Sequence, residues 1–154
     1  TEILKIELFE LRKKLKKILT VIERTEKPLI FTGHSLGAAQ SELAFLYTQK
    51  KFPNLFERTQ LVCFGKPRGF LKPSRERFPK GKVMSCVSGS DVVTRLPRFL
   101  FTVGSNNQDM FYLANDGSNL LNADPDFVSA DFDVSDAVSD HSMNVYLQRL
   151  KEIS

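Results

Sequence analysis

Apolar and polar positions follow two rhythms along this chain. Over residues 2–24 leucine and isoleucine recur at steps of four and three (Leu4, Leu8, Leu11, Leu15, Ile18, Ile22), the spacing of one helix face. Lysines crowd the other side. The stripe suits a short heptad coiled coil. A helix packed on its own domain's sheet fits better, because Pro28 stops it just ahead of the next apolar run. Residues 29–32, 60–64 and 82–88 are short apolar runs, each read as a buried strand. Gly65 and Pro67 close the second, and Gly89 closes the third. From Ser35 to about Lys51 the rhythm is helical again (Leu36, Ala39, Leu43, Leu46), and Pro53 ends it. Residues 99–103 and 110–114 are expected to pair around the turn signal Gly104-Ser105-Asn106-Asn107. Residues 115–140, rich in Asp, Ser and Asn, are expected to be loop. Residues 139–153 read as a last helix with Met143, Tyr146, Leu147 and Leu150 on one face. Strands alternating with helices predict parallel pairing through crossovers, hence an α/β fold. There are no internal repeats.

Composition adds limits. The 154 residues suffice for one domain with a real core, and 42% hydrophobic residues is ordinary for a globular protein. No apolar run approaches the length of a transmembrane helix, and the first residues do not resemble a signal peptide. Because the chain begins with Thr1 rather than Met, it is expected to be a processed or truncated piece. The net charge of +4 is unevenly spread. Residues 66–82 hold seven Lys or Arg against one Glu, whereas residues 109–140 hold eight Asp and no Lys or Arg. The basic segment is either a solvated loop or a surface for anionic lipid head groups. It carries no nucleic-acid signature, so no nucleic-acid partner is expected. Cys63 and Cys86 lie inside apolar runs and are expected to be buried free thiols, not a zinc site.

The segment Gly33-His34-Ser35-Leu36-Gly37 joins the first predicted strand to the helix after it. A serine at a sharp strand-to-helix turn is forced into a strained backbone, and flanking glycines relieve the crowding. The turn lifts the hydroxyl clear of the sheet. The helix N-terminus beneath it offers unpaired N–H groups, so the N–H of Leu36 is expected to face a developing oxyanion. A serine nucleophile needs a base, and the chain has two histidines. His34 adjoins the serine, and consecutive side chains point apart; it is expected to pack or hydrogen-bond under the turn. His141 is the candidate base by elimination, the alternative being a solvent-exposed histidine at a helix start. The orienting carboxylate is expected just past a strand's carboxyl end, where Asp91 follows Gly89-Ser90. Asp140 and the Asp cluster at 124–136 compete for that role, Asp140 fitting better as a helix-start residue. The order Ser35, Asp91, His141 is that of α/β-hydrolases.

Four stretches carry a closer resemblance: "FTGHSLGAAQSELA", "CFGKPRGF", "CVSGSDVVTRLP" and "DHSMNVYL". Together they resemble the later part of a class 3 (fungal-type) lipase domain. The resemblance implies an α/β-hydrolase-like three-layer sandwich with a mostly parallel sheet. It implies Ser35 as nucleophile, Asp91 as orienting acid and His141 as base. The earlier strands, the lid and the loop supplying the other oxyanion donor precede this region in that family. The chain is therefore expected to be a single, partial domain over residues 1–154, with those parts coming from elsewhere. Departures are Ala38 where a second glycine is usual, Gln40 and Ser41 where apolar or small residues are usual, and Phe70 after Pro67-Arg68-Gly69.

The expected activity is a cofactor- and metal-free serine ester hydrolase acting on lipids such as triacylglycerol or phospholipid. Val92, Val93 and Leu96 are candidates for an acyl pocket or for plain core. Transient contact with a membrane or lipid interface is the expected association. The alternative is a truncated or non-catalytic lipase-like interaction module.

Overall fold

A computed structural model describes residues 2–67, 70–71, 78–96, 101–102, 109–121 and 133–153. The first helix, α1 (Glu2–Glu23), leads into β1 (Leu29–His34), α2 (Leu36–Lys51), the short α3 (Pro53–Phe56) and β2 (Thr59–Phe64). Then come β3 (Phe70–Leu71), β4 (Val83–Ser88), β5 (Phe101–Thr102), β6 (Asp109–Leu113), β7 (Asn119–Leu121) and α4 (Met143–Ile153). The main sheet has the order β1-β2-β4-β6-β7. Its first four strands run parallel, and β7 is an antiparallel edge.

The parallel strands demand cover on both faces. On one face Leu61, Cys63 and Val83 pack against Ala38 and Phe45 of α2, Phe56 of α3, and Phe78. Leu19 of α1 joins Phe52 and Leu55 on the same side. On the other face Cys86 and Leu113 pack against Tyr146 of α4, flanked by Phe64, Phe111, Met143 and Leu150. Helices, sheet and helix make three layers, as the resemblance implies. Arg58 fixes the end of α1 by donating to the carbonyls of Ile22 and Glu23 in its last turn and of Thr25 and Lys27 just beyond it. Cys63 and Cys86 are buried and free. Burial pushes both thiols up to about 12. No helix among the described residues is long and apolar enough to cross a membrane.

Several expectations change. Strands β5 and β6 do not pair. Phe101–Thr102 pairs with Phe70–Leu71 in a separate two-stranded sheet, while Asp109–Leu113 joins β4 in parallel. Residues 99–100 and 103–108 lie outside the described residues. The expected loop 115–140 contains β7, reached by a hairpin turn in which Ser118 O accepts from Ala114 N–H and Ser118 N–H donates to Asp116 Oδ1. Gly117 has φ +83 there, so Asp116-Gly117 was the unread hairpin signal. Residues 122–132 lie outside the described residues. Among the described side chains of α1, Leu15 and Ile22 of the expected stripe pack beside Leu19, which is 1% exposed, while Ile18 is 56% exposed.

In α2 the expected stripe is displaced. Leu36 and Leu43 face solvent, and the buried residues are Ala38, Glu42, Phe45 and Thr48. Apolar spacing missed this face because two of its members are polar. Lys66 explains the glutamate: its ammonium donates to both carboxylate oxygens of Glu42 at 2.8 and 2.9 Å, with both side chains buried. Lys82 is also engaged, donating to the carbonyls of Phe56 and Glu57. The two ends of the basic segment are thus tied inward, and Arg68, Lys72, Arg75 and Arg77 lie outside the described residues.

A buried pair tolerates loss of one partner badly, since the other charge is left uncompensated. Lys66→Met or Glu42→Gln should each lower stability by about 3–5 kcal/mol in urea unfolding. The double substitution should recover a large part of that loss.

Candidate active site

Strand β1 ends and α2 begins within one residue. Ser35 has φ 55 and ψ −126, the only positive φ outside glycine among the described residues. Such a conformation costs on the order of 1–3 kcal/mol and persists only where its surroundings enforce it. They do: the Ser35 N–H donates to Phe64 O of β2 at 3.0 Å, and its carbonyl accepts from Ala38 and Ala39. Ser41 Oγ, at a position usually apolar or small, donates to Thr32 O at 2.8 Å and pins α2 to β1. The two glycines differ. A Cβ on Gly33 would overlap the carbonyl of Gly37, whereas a Cβ on Gly37 would meet nothing within 4 Å. The expectation that both relieve crowding holds for Gly33 alone.

Asp91 follows β4 and the turn at Gly89, and is fully buried. A buried carboxylate is costly without partners, and three donors converge on it. Val93 N–H donates to Oδ1 at 2.9 Å, and Tyr146 OH to Oδ2 at 2.7 Å. His141 Nδ1 stands 3.0 Å from both oxygens. His141 occupies a single 3-10 turn, Ser139–His141, ahead of α4, so the last helix starts later than expected. Its Nε2 lies 2.9 Å from Ser35 Oγ. Nδ1 faces only carboxylate oxygens and so carries the ring proton. In the neutral ring Nε2 then accepts from the serine hydroxyl. The structure thus brings Ser35, His141 and Asp91 into one hydrogen-bonded line. As the first residue of α2, Leu36 has an N–H with no acceptor inside the helix.

The competing carboxylates are placed elsewhere. Asp140 is buried, accepting from Ser90 N–H at 2.7 Å and pairing with Arg149 at 2.9 Å. It is a structural tie rather than an exposed helix-start residue. Arg149 also donates to Ser88 Oγ and Asn115 Oδ1, which joins α4 to the ends of β4 and β6. Of the cluster at 124–136, Asp133 and Asp136 are exposed, and Asp124, Asp126 and Asp131 lie outside the described residues. His34 forms a hydrogen bond as expected, Nε2 donating to His141 O at 2.8 Å, but it meets the same residue as Ser35 Oγ, so the two consecutive side chains converge rather than point apart. Val92 and Val93 are half-buried, and Leu96 is half exposed. Among the described residues no group of three or more His, Cys, Asp and Glu could hold a metal ion.

Two contributors escaped the sequence reading. Tyr146 was seen only as apolar helix face. Its hydroxyl accepts from Ser88 N–H at 3.0 Å and donates to Asp91. Burial, and next the negative charge of Asp91, push its phenol well above the ordinary range, so it stays a donor. Gly65 was seen only as a strand stop. It has φ +54, and a Cβ there would stand 2.8 Å from Asp91 Oδ2, 3.2 Å from His141 Nδ1 and 3.2 Å from Tyr146 OH. Its place inside "CFGKPRGF" was the available signal.

Residues 3–101 match the family described as Lipase (class 3). The chain belongs to the class 3 lipase family. The matched span includes Ser35 and Asp91 and ends before His141. Diacylglycerol lipase-beta of Mus musculus is 34% identical over 71 residues, which is 46% of this chain and 10% of that protein. Secreted mono- and diacylglycerol lipase 3 of Gibberella zeae is 35% identical over 82 residues, 51% of this chain and 26% of that protein. The chain thus spans about a quarter or less of these lipases' length. Among solved structures, the Rhizomucor miehei lipase–propeptide complex aligns with TM-score 0.64 at 20% identity, over 84% of this chain and 44% of that one. The lipase of Rhizopus microsporus var. chinensis aligns with TM-score 0.59 at 17% identity, over 87% and 50%. With the mostly parallel sheet and its flanking helices, these likenesses establish the α/β-hydrolase fold for this lipase-family chain.

The asymmetry of the two glycines is measurable. Gly37→Ala should fold with unchanged or slightly raised stability, since alanine is favoured over glycine in a helix by about 1 kcal/mol. Gly33→Ala should instead lower the melting temperature clearly, because backbone must move. Gly65→Ala should keep the fold while shifting the His141 ring signals in NMR spectra, since its Cβ displaces the Asp91–His141–Tyr146 contact.

Proposed function

We propose that this chain carries the acyl-transfer centre of a lipid carboxylic ester hydrolase that works through an acyl-enzyme on Ser35. The observation that carries the reading is the unbroken Asp91–His141–Ser35 hydrogen-bond line at a strained strand-to-helix turn. His141 Nε2 takes the hydroxyl proton as Oγ attacks the ester carbonyl. The Leu36 N–H, at the positive end of α2, donates to the oxyanion as it forms. His141 then gives the proton to the leaving alcohol. Water repeats the sequence in reverse and releases the fatty acid. Asp91 holds the imidazole in its Nδ1–H tautomer and balances the imidazolium.

Exposed apolar residues flank the three site residues along the chain, which suits a lipid substrate. Leu36 adjoins the serine, Leu96 follows Asp91, and Val134 and Val138 precede His141; they are 68%, 50%, 78% and 79% exposed. Exposed apolar groups suit contact with an acyl chain or a lipid surface. Acylglycerols are the favoured class, because both curated relatives are named as acylglycerol lipases.

The test is labelling with a fluorophosphonate, followed by turnover of mono-, di- and triacylglycerols and of a phospholipid. The parent should label and Ser35→Ala should not. His141→Ala should slow ester turnover by about 10⁴-fold or more. A folded parent that does not label would overturn the hydrolase reading in favour of a non-catalytic module.

A further inference from the structure

One polar contact beside the serine belongs to none of the roles above. His34 is the last residue of β1, immediately before Ser35, and its side chain crosses to the opposite segment of the site. Nε2 lies 2.8 Å from the main-chain oxygen of His141. A carbonyl only accepts, so Nε2 carries a proton and donates. The two imidazole rings lie alongside each other, centroids 4.7 Å apart and tilted by 30°. Tyr146 stands edge-on behind His34, with centroids 5.8 Å apart.

His141 depends on outside support. It sits in one 3-10 turn, not in a long helix. Local bonds hold that turn from the N–H side: His141 N–H donates to Val138 O and Ser142 N–H to Ser139 O. The His141 carbonyl is held across the sheet by His34. Asp91 sets the direction of the ring by its grip on Nδ1, but not where the ring's main chain stands relative to the serine. That separation decides whether Nε2 reaches Oγ, and a misplacement of about 1 Å can cost on the order of 10²-fold in rate.

We propose that His34 is a positioning residue for the base. Its Nε2–H ties the His141 main chain to the strand end that carries Ser35, and its ring limits the tilt of the His141 imidazole. One side chain so adds a direct link between the strand end that carries the nucleophile and the main chain that carries the base. The inference rests on the reading of Ser35 and His141 as nucleophile and base.

The experiment compares His34→Phe, which keeps a flat ring without a donor, with His34→Gln, which keeps a donor without the ring. The readouts are the fluorophosphonate labelling rate and the melting temperature. His34→Phe should label roughly 10- to 100-fold more slowly with a melting temperature close to that of the parent, and His34→Gln should restore most of the loss. Labelling of His34→Phe at the parent's rate overturns the proposal. So does an equal fall in both variants that tracks their melting temperatures. A measurement on the parent alone guards against misfolding of the variants: the nitrogen chemical shift of His34 Nε2 should be that of a protonated nitrogen, and an unprotonated shift overturns the tie. Absence of Ser35-dependent labelling in the parent overturns instead the nucleophile reading beneath it.

Discussion

The Asp91 carboxylate is the constraint around which this end of the molecule is organised. It is a charge with no exposure to water, and such a group is tolerable only when donors surround it. Those donors come from different parts of the chain: Val93 from the following turn, His141 from a 3-10 turn fifty residues on, and Tyr146 from α4. Satisfying one carboxylate therefore fixes the crossing of α4 over the sheet. Gly65 belongs to the same constraint. Three polar atoms crowd the volume a side chain would occupy there, so the residue just past β2 must be glycine for Asp91 and His141 to meet.

A second polar network stabilises the first without touching the serine. Asp140 precedes the base and is held by Ser90 and Arg149, and Arg149 reaches Ser88 and Asn115. The residue before the base and the residue before Asp91 are thus tied directly, Ser90 N–H to Asp140. Gly89, at φ +38, lets the β4 turn approach this cluster, since a Cβ there would strike Asn115, Asp140 and Arg149. His141 is held through its own ring, through its carbonyl and through its neighbour's carboxylate. Such redundancy fixes geometry in advance of substrate, which is what electrostatic catalysis requires.

How much of this was legible in the sequence follows from what each signal measures. Local steric signals were readable: a serine between glycines after a β-branched run meant a strained turn, and Ser35 has that backbone. The order Ser35, Asp91, His141 was readable because parallel strands put their loops at one end of the sheet. Faces were read less well. Apolar spacing placed Leu43 inside α2 and left Glu42 out, because spacing cannot see that Lys66, from a different loop, neutralises the glutamate. The same blindness hid Tyr146, whose ring obeys the apolar pattern while its hydroxyl serves Asp91. Pairing of β6 with β4 rather than β5 was hidden too, since each partner lies far off in sequence. The β7 hairpin is different. Asp116-Gly117 announced it, and the surrounding polar composition concealed it.

Under the proposed acyl-transfer reading, the site separates two tasks that a single rate constant would merge. Activating Ser35 needs only groups within this chain's own network: the strained turn, the His141 ring and the buried carboxylate behind it. Stabilising the oxyanion needs preorganised N–H groups aimed at the reacting oxygen, and losing one such donor typically costs about 10²- to 10³-fold in rate. Leu36 offers one, at the start of α2. A phosphorus electrophile is strongly driven and leans mostly on the first task, whereas a lipid ester leans on both. Reactivity of the serine and turnover of lipid are therefore distinct properties of this fold, and the network around Asp91 bears directly on the first.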